Sequence, residues 1–272
     1  MDLGLKGLKA ILVGANGGIG RKVAHALVAE GCHVAVCGRS QEKVDKIAGE
    51  LGNQGVTFIA EARDVTDPEA VPAFVESAAK ALGGCDIFIS FTSVNPGEDT
   101  DTAWQLVLDT DILPMRRGIA AARPYLKESD NGSVICMSST GAVEEFMGVQ
   151  PYNALKASVI AYSAAMSQTL AAEGTRVNCI TPGPVWTEDG PWVYIKENMR
   201  EFYDGIVAQL PLGKLTSGED MAKTIVFTAS PACKTMTGAN IVVDSAKITG
   251  SWKAKAFTPV FTRAIVVDRC AK

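Results

Sequence analysis

Ser139, Tyr152 and Lys156 are the residue types that carbonyl chemistry needs, and they fall within eighteen positions of one another. Tyr152 and Lys156 stand four apart, so on a helix their side chains leave one face and their tips approach each other. An ammonium beside a phenol stabilises the phenolate, which makes Tyr152 a candidate acid or base at neutral pH. Ser139 follows an apolar run, residues 134–137, that reads as a strand, and its hydroxyl is placed to steady an oxygen beside the phenol. Together the three would bind and protonate a carbonyl. A Tyr and a Lys at this spacing also occur on ordinary helix surfaces, so the pair takes its meaning from the elements that position it.

Residues 10–13 are a short continuous apolar run, the pattern of a parallel strand buried on both faces. Gly14-Ala15-Asn16-Gly17-Gly18-Ile19-Gly20 follows, and a helical pattern runs from 21 to 30. Glycines at such a corner let a pyrophosphate approach the backbone, and the amides of the next helix favour an anion, so a dinucleotide site is expected. The second strand, residues 33–37, ends at Gly38-Arg39-Ser40. Arg39 is placed to pair with a 2′-phosphate, and no carboxylate stands there to take ribose hydroxyls. NADP(H) is therefore expected ahead of NAD(H).

Further on, residues 41–51 are helical in pattern, 56–60 strand-like and 68–82 helical, with Asp67 as expected N-cap and Pro68 in the first turn. Residues 86–90 make a fourth strand, and 102–126 a long helical segment with a kink or break expected at Pro114. The helix carrying Tyr152 and Lys156 is expected over 151–172, a sixth strand over 176–180 and a last strand over 239–243. Alternation at this spacing predicts an α/β fold with a doubly wound parallel sheet. The Pro-, Gly- and aromatic-rich stretch at about 184–215 suits a substrate lid. One domain is expected over 1–252; the tail, 253–272, has no clear period.

With 272 residues, 47% of them apolar, the chain is long enough for one large core. A net charge of −4 without a basic run argues against nucleic acid, and no apolar stretch is long enough to span a membrane. The N-terminus lacks the pattern of a secretory signal, and seven scattered cysteines without a Cys-x-x-Cys read as buried free thiols of a cytoplasmic protein. Two histidines make a metal site unexpected.

Over roughly residues 5–250 the chain resembles the short-chain dehydrogenase/reductase superfamily, in its classical subfamily. The matching pieces are Gly14-x-x-x-Gly18-x-Gly20, Asp64, Ser139, Tyr152-x-x-x-Lys156 and Pro182-Gly183-x-x-x-Thr187, in the family's order and spacing. The resemblance implies a Rossmann-type sheet of about seven strands, an NAD(P) cofactor and a homotetramer or homodimer. It also implies that Tyr152 is the acid/base, that Ser139 bonds the substrate oxygen and that Lys156 binds the nicotinamide ribose while acidifying Tyr152. Asp64 and Val65 would contact the adenine, Asn16, Gly17 and Ile19 would support the cofactor at the glycine loop, Pro182 and Gly183 would also bind the cofactor, and Val185 and Thr187 would fix the carboxamide.

Two departures stand out. Where the family has Asn-Asn-Ala-Gly after its fourth strand, this chain has Ser90-Phe91-Thr92-Ser93, so the cofactor floor at Ser90 is built differently. The family Asn that holds a proton-relay water near the lysine aligns with Asp111, which, ionised, raises the pKa of Lys156 while remaining able to hold the water. Gly141, Glu144, Phe146 and Met147 are expected to border the substrate with Trp186 and Trp192, which suits a medium-sized apolar or aromatic carbonyl compound or alcohol. Two competing readings are a 3-oxoacyl reductase acting on a carrier-protein or CoA thioester and a non-catalytic NADP(H) sensor. Acidic residues in the turns at 127–131 and 172–175 disfavour the first, and the intact Ser139, Tyr152 and Lys156 disfavour the second.

Overall fold

The computed structural model describes residues 1–247. The strands are β1 (Lys9–Val13), β2 (His33–Gly38), β3 (Phe58–Ala62), β4 (Ile87–Ser90), β5 (Ser133–Met137), β6 (Arg176–Pro182), β7 (Val185–Trp186), β8 (Thr216–Ser217) and β9 (Asn240–Val243). The helices are α1 (Gly18–Ala29), α2 (Gln41–Leu51), α3 (Ala70–Leu82), α4 (Asp101–Val107), α5 (Leu113–Lys127), α6 (Pro151–Ala171), α7 (Pro191–Asn198), α8 (Arg200–Ala208) and α9 (Gly218–Ala229). Seven strands form one parallel sheet in the order β3-β2-β1-β4-β5-β6-β9, while β7 and β8 pair separately. The expected seven-stranded Rossmann-type architecture is therefore present.

The central strands β1, β2 and β4 are mostly apolar because helices cover both faces. Leu12, Val36 and Ile89 pack on one side with Val23 and Leu27 of α1 and Ile225 of α9. Ile11, Val13 and Phe88 pack on the other with Phe74 of α3, Ile119 of α5 and Val159 of α6. Strand order reverses between β1 and β4, and at such a switch point the loops at the strands' carboxyl ends diverge to leave a crevice. Register brings those ends into one row: Val13 stands beside Ser90, Ser90 beside Cys136, and Cys136 beside Cys179. The free cysteines at 32, 37, 85, 136, 179 and 233 are buried, and burial pushes the Cys37 thiol up to about 12. Among the described residues no helix is long and apolar enough to cross a membrane.

Several boundaries differ from the sequence pattern. The helix expected from Pro68 begins at Ala70, because the Asp67 carboxylate accepts from the Glu69 amide and closes a short turn before the helix instead of capping it. The long segment after β4 is interrupted not by a kink at Pro114 but by a π-helical turn, Leu108–Ile112, with Pro114 in the first turn of α5 where its missing N–H costs nothing. That turn carries Asp111. A further helix, α9, has a local signature that pattern reading passed over. Ser217 accepts from the Asp220 amide, Glu219 and Asp220 complement the first turn, and Met221, Ala222, Ile225, Val226 and Ala229 make the buried stripe. The expected tail, 253–272, lies outside the described residues.

After β9 the backbone turns through two non-glycine residues in the left-handed region, Ser245 (φ 54°) and Ala246 (φ 65°). Each pays for its Cβ, so Ala246→Gly is expected to raise stability by about 1 kcal/mol. Ser245→Gly is expected to gain less, since it removes a 3.2 Å hydroxyl contact with Thr216. Urea unfolding midpoints measure both, and a loss of stability in Ala246→Gly would refute the strain.

Candidate active site

At the start of α6 the extended Gln150 and Pro151 in the first turn set the direction in which Tyr152 and Lys156 leave the helix. The Ser138 hydroxyl donates to the Lys156 carbonyl at 2.8 Å and fastens that turn to the end of β5. Lys156 is buried; its ammonium donates to the Met137 carbonyl at 3.2 Å and lies 5.8 Å from the centroid of the Tyr152 ring. Ser139 is extended and its Oγ accepts from the Gly141 amide at 3.2 Å, which leaves the hydroxyl proton free to be donated. Ser139, Tyr152 and Lys156 line a single cleft of about 370 Å³.

The other wall of that cleft is the glycine loop, including Gly14, Gly17, Gly18, Ile19 and Gly20. A Cβ on Gly20 would stand 2.6 Å from the Ala15 Cα, so only glycine lets the loop fold tightly onto α1. Asn16 does not line the cleft: its Nδ2 donates to the Ser40 carbonyl at 3.3 Å and its amide packs on Gly38, tying the loop to the end of β2. Pro182, Gly183, Val185 and Thr187 line the cleft beyond β6, and Trp192 closes its far side.

Asp189, which sequence reasoning missed, enters the same space. Its Oδ1 accepts from the Gly18 amide at 3.0 Å, and its Oδ2 lies 3.5 Å from the Lys43 ammonium. A carboxylate seated on the first amide of α1 shows that this corner accommodates an anion, and a Cβ at Gly17 would stand 2.7 Å from Asp189. The corner therefore suits the charge of a dinucleotide pyrophosphate, which would take the Gly18 amide once the Asp189 carboxylate moves aside. Lys22 holds Glu188 at 2.9 Å and Glu219 at 2.6 Å, so residues 188 and 189 are both fastened to the loop and helix that they overlie.

Asp111 is drawn in from the π-helical turn. Its Oδ2 lies 3.0 Å from the Lys156 ammonium, with the side chains 0% and 4% exposed. Its Oδ1 accepts from the Val94 amide at 2.9 Å. Burial opposes both charges. At Lys156 burial, the largest single influence, is outweighed by Asp111 and Tyr152 acting together, so the ammonium is held above its ordinary range, whereas at Asp111 burial prevails and the carboxyl titrates above the usual carboxylate range. The carboxylate thus meets the ammonium directly, as the expected raising of the Lys156 pKa requires.

Other expected residues fall outside the cleft lining. Arg39 is exposed at the end of β2. Asp64 is held below the usual carboxylate range, first by the Thr66 amide and hydroxyl, with the charge of Arg39 a smaller contribution. Val65 packs against the core on the α3 side, and the buried Ser90 hydroxyl is taken up by Thr92 at 3.2 Å. Phe91 and Ser93, not Ser90, face the cleft.

On the substrate side the expectations divide. Trp192 is buried and in the lining, and Phe146 packs against the cluster of Trp192, Ile206, Leu210 and Leu215. Trp186 lies edge-on to Tyr203 with the Lys196 ammonium 5.0 Å from its ring, outside the cleft. Met147 is more than half exposed with φ 59°, so it points away, and Gly141 packs beneath Asn153. Glu144, expected to border the substrate, lies outside the cleft lining and forms an ion pair with the buried Lys247, 103 residues away in sequence.

Comparison with known proteins identifies the family and agrees with the fold. A family model described as enoyl-(acyl carrier protein) reductase matches residues 14–245. Dehydrogenase/reductase SDR family member 4 of Oryctolagus cuniculus is 28% identical over 239 residues, covering 86% of this chain and 91% of that protein. Isoepoxydon dehydrogenase of Aspergillus clavatus is 30% identical over 246 residues, covering 88% and 94%. The crystal structure of L-sorbose reductase from Gluconobacter frateurii, complexed with NADPH and L-sorbose, superposes with a TM-score of 0.83 at 26% identity, covering 92% of this chain and all of that one. The chain belongs to the short-chain dehydrogenase/reductase family. Members of this family are oxidoreductases that bind a nicotinamide cofactor.

Proposed function

We propose that the protein transfers hydride between NADP(H) and a medium-sized ketone or secondary alcohol. The observation that carries this reading is the meeting of Ser139, Tyr152 and Lys156 with the glycine loop in one cleft. The bound nicotinamide supplies the hydride; everything else falls to the chain. Gly17, Gly18 and Ile19 seat the pyrophosphate on α1, and Lys156 holds the nicotinamide ribose. Pro182, Gly183, Val185 and Thr187 orient the carboxamide. Ser139 donates to the carbonyl oxygen and Tyr152 protonates it, so that proximity and acid catalysis act on one bond. Trp192 and the apolar lid cluster favour an apolar or aromatic substrate body. We further propose a homotetramer or homodimer working in the cytoplasm.

Arg39 is assigned to the 2′-phosphate, with Asp64 and Val65 beside the adenine. Replacing Arg39 with alanine is expected to weaken NADPH binding at least about tenfold, or 1.4 kcal/mol, while leaving NADH binding unchanged. Titration of both cofactors into the wild type and the variant measures this. NADH bound as tightly as NADPH by the wild type would overturn the preference. One alternative is a 3-oxoacyl reductase of carrier-protein or CoA thioesters, since a relative 29% identical over 242 residues is a 3-oxoacyl-[acyl-carrier-protein] reductase. Turnover of a 3-oxoacyl thioester well above that of free ketones would establish it. Binding of NADPH without turnover of either class would point to a sensor.

A further inference from the structure

Helix α1 starts without a cap of its own. Its N-cap is Gly17, which has no side chain to accept an amide, and no acidic residue stands in the first turn. Asp189 supplies both from 171 residues away: its Oδ1 accepts from the Gly18 amide at 3.0 Å, and its Oδ2 lies 3.5 Å from the Lys43 ammonium. The three groups meet at Gly17, where a Cβ would stand 2.7 Å from the Asp189 Oδ2 and 3.4 Å from the Lys43 Nζ. Lys43 belongs to the first turn of α2, where the Ser40 Oγ accepts its amide at 3.3 Å. The α2 dipole opposes a cation at that end, so an anion beside the ammonium relieves both helices at once.

We infer that Asp189 is the chain's own stand-in for the cofactor pyrophosphate, and that Lys43 passes from the carboxylate to the entering phosphate. The inference rests on the reading of the glycine loop as the pyrophosphate seat. Both anions need the Gly18 amide, so the cofactor binds against an internal competitor. When Asp189 withdraws, Lys43 loses its ion-pair partner beside Gly17, where the pyrophosphate comes to rest. The contact is shallow enough to reverse, with the Lys43 and Asp189 side chains 48% and 29% exposed. Asp189 also sits on a tight turn, closed by the Gly190 amide on the Thr187 carbonyl at 3.2 Å, just ahead of α7. The carboxylate can therefore swing out without unwinding that helix.

Neighbouring cations are committed elsewhere. Arg21 is bound to Glu50 through two of its nitrogens, and Lys22 keeps Glu219 at 2.6 Å even if Glu188 departs. Arg39, assigned to the 2′-phosphate, separates NADPH from NADH, whereas the exchange at Asp189 concerns the pyrophosphate that both cofactors carry.

Two measurements test the exchange. Hydrogen exchange of the Gly18 amide, followed by NMR in the protein without cofactor, is expected to quicken at least about fivefold in Asp189→Ala, which uncovers that amide. Calorimetric titration is expected to show Asp189→Ala binding NADPH and NADH each about tenfold more tightly than the wild type does. Glu188→Ala loosens the same segment but leaves the carboxylate on α1, and its affinities are expected to stay within about twofold of the wild type. Lys43→Met is expected to weaken both cofactors about threefold in the Asp189→Ala background, and less in the wild type, where it also unfastens the competitor. Unchanged Gly18 exchange, no affinity gain from Asp189→Ala, an equal gain from Glu188→Ala or a gain confined to NADPH would each overturn the inference, as would equal Lys43 effects in the two backgrounds. Neither measurement needs turnover. A tenfold gain in a protein that reduces no ketone would leave the exchange standing and refute the proposed function, whereas ketone turnover without that gain would do the reverse.

Discussion

Tyr152→Phe is expected to lower kcat for ketone reduction about a thousandfold while leaving NADPH affinity within about twofold. Phenylalanine keeps the ring and removes only the hydroxyl, so the start of α6, set by Pro151 and by the Ser138 bond to the Lys156 carbonyl, is undisturbed. What is lost is the group that hands a proton to the developing alkoxide. Ser139→Ala removes the second donor to that oxygen and is expected to cost about a hundredfold, in the range for one lost oxyanion contact. Steady-state kinetics with a ketone panel, alongside a binding titration for NADPH, separate catalysis from cofactor loss. Tyr152→Phe activity within tenfold of the wild type would remove the phenol from the acid role.

Why Tyr152 and Lys156 were legible in the sequence is a matter of range. Their juxtaposition depends on one helical turn, and the glycine loop's role depends on a strand and a helix that adjoin it. Continuous apolar runs gave the parallel strands in the same way, since burial on both faces leaves no polar alternation to hide them. The features that were not legible are held by contacts distant in sequence. Asp189 reaches the Gly18 amide across 171 residues, and Lys247 reaches Glu144 across 103. Nothing local to Thr187-Glu188-Asp189-Gly190 marks its carboxylate as the one that will sit on α1. Glu144 and Glu145 are chemically alike in the sequence, and only the turn after β9 brings a lysine to one of them. Asp111 shows the intermediate case. Alignment put it near Lys156, but its direct contact depends on a π-helical turn that rotates it inward, which a 3.6-residue periodicity does not anticipate.

Lys156→Met is expected to abolish turnover and also to cost about 3–5 kcal/mol of stability, a penalty out of proportion to the near-equal volume of the new side chain. Methionine fills the space of the lysine stem but leaves the Asp111 carboxylate buried with no countercharge, its hydrogen bond being to the Val94 amide. The sign of the pH dependence follows. Burial already raises the Asp111 carboxyl above its ordinary range, and removal of Lys156 takes away the largest influence that lowers it. A carboxyl whose folded pKa lies above its unfolded value contributes stability that is present in acid and lost as pH rises through the folded value. The variant's deficit against the wild type should therefore shrink as pH falls and grow toward neutrality. Combining Lys156→Met with Asp111→Asn removes both charges and keeps a side-chain carbonyl able to accept from the Val94 amide, so the double variant should regain most of the lost stability while remaining inactive. Urea unfolding of the wild type, both single variants and the double variant closes the cycle. If the double variant is no more stable than Lys156→Met, the charges are uncoupled, and the lysine is held in place by the packing of its methylenes rather than by Asp111.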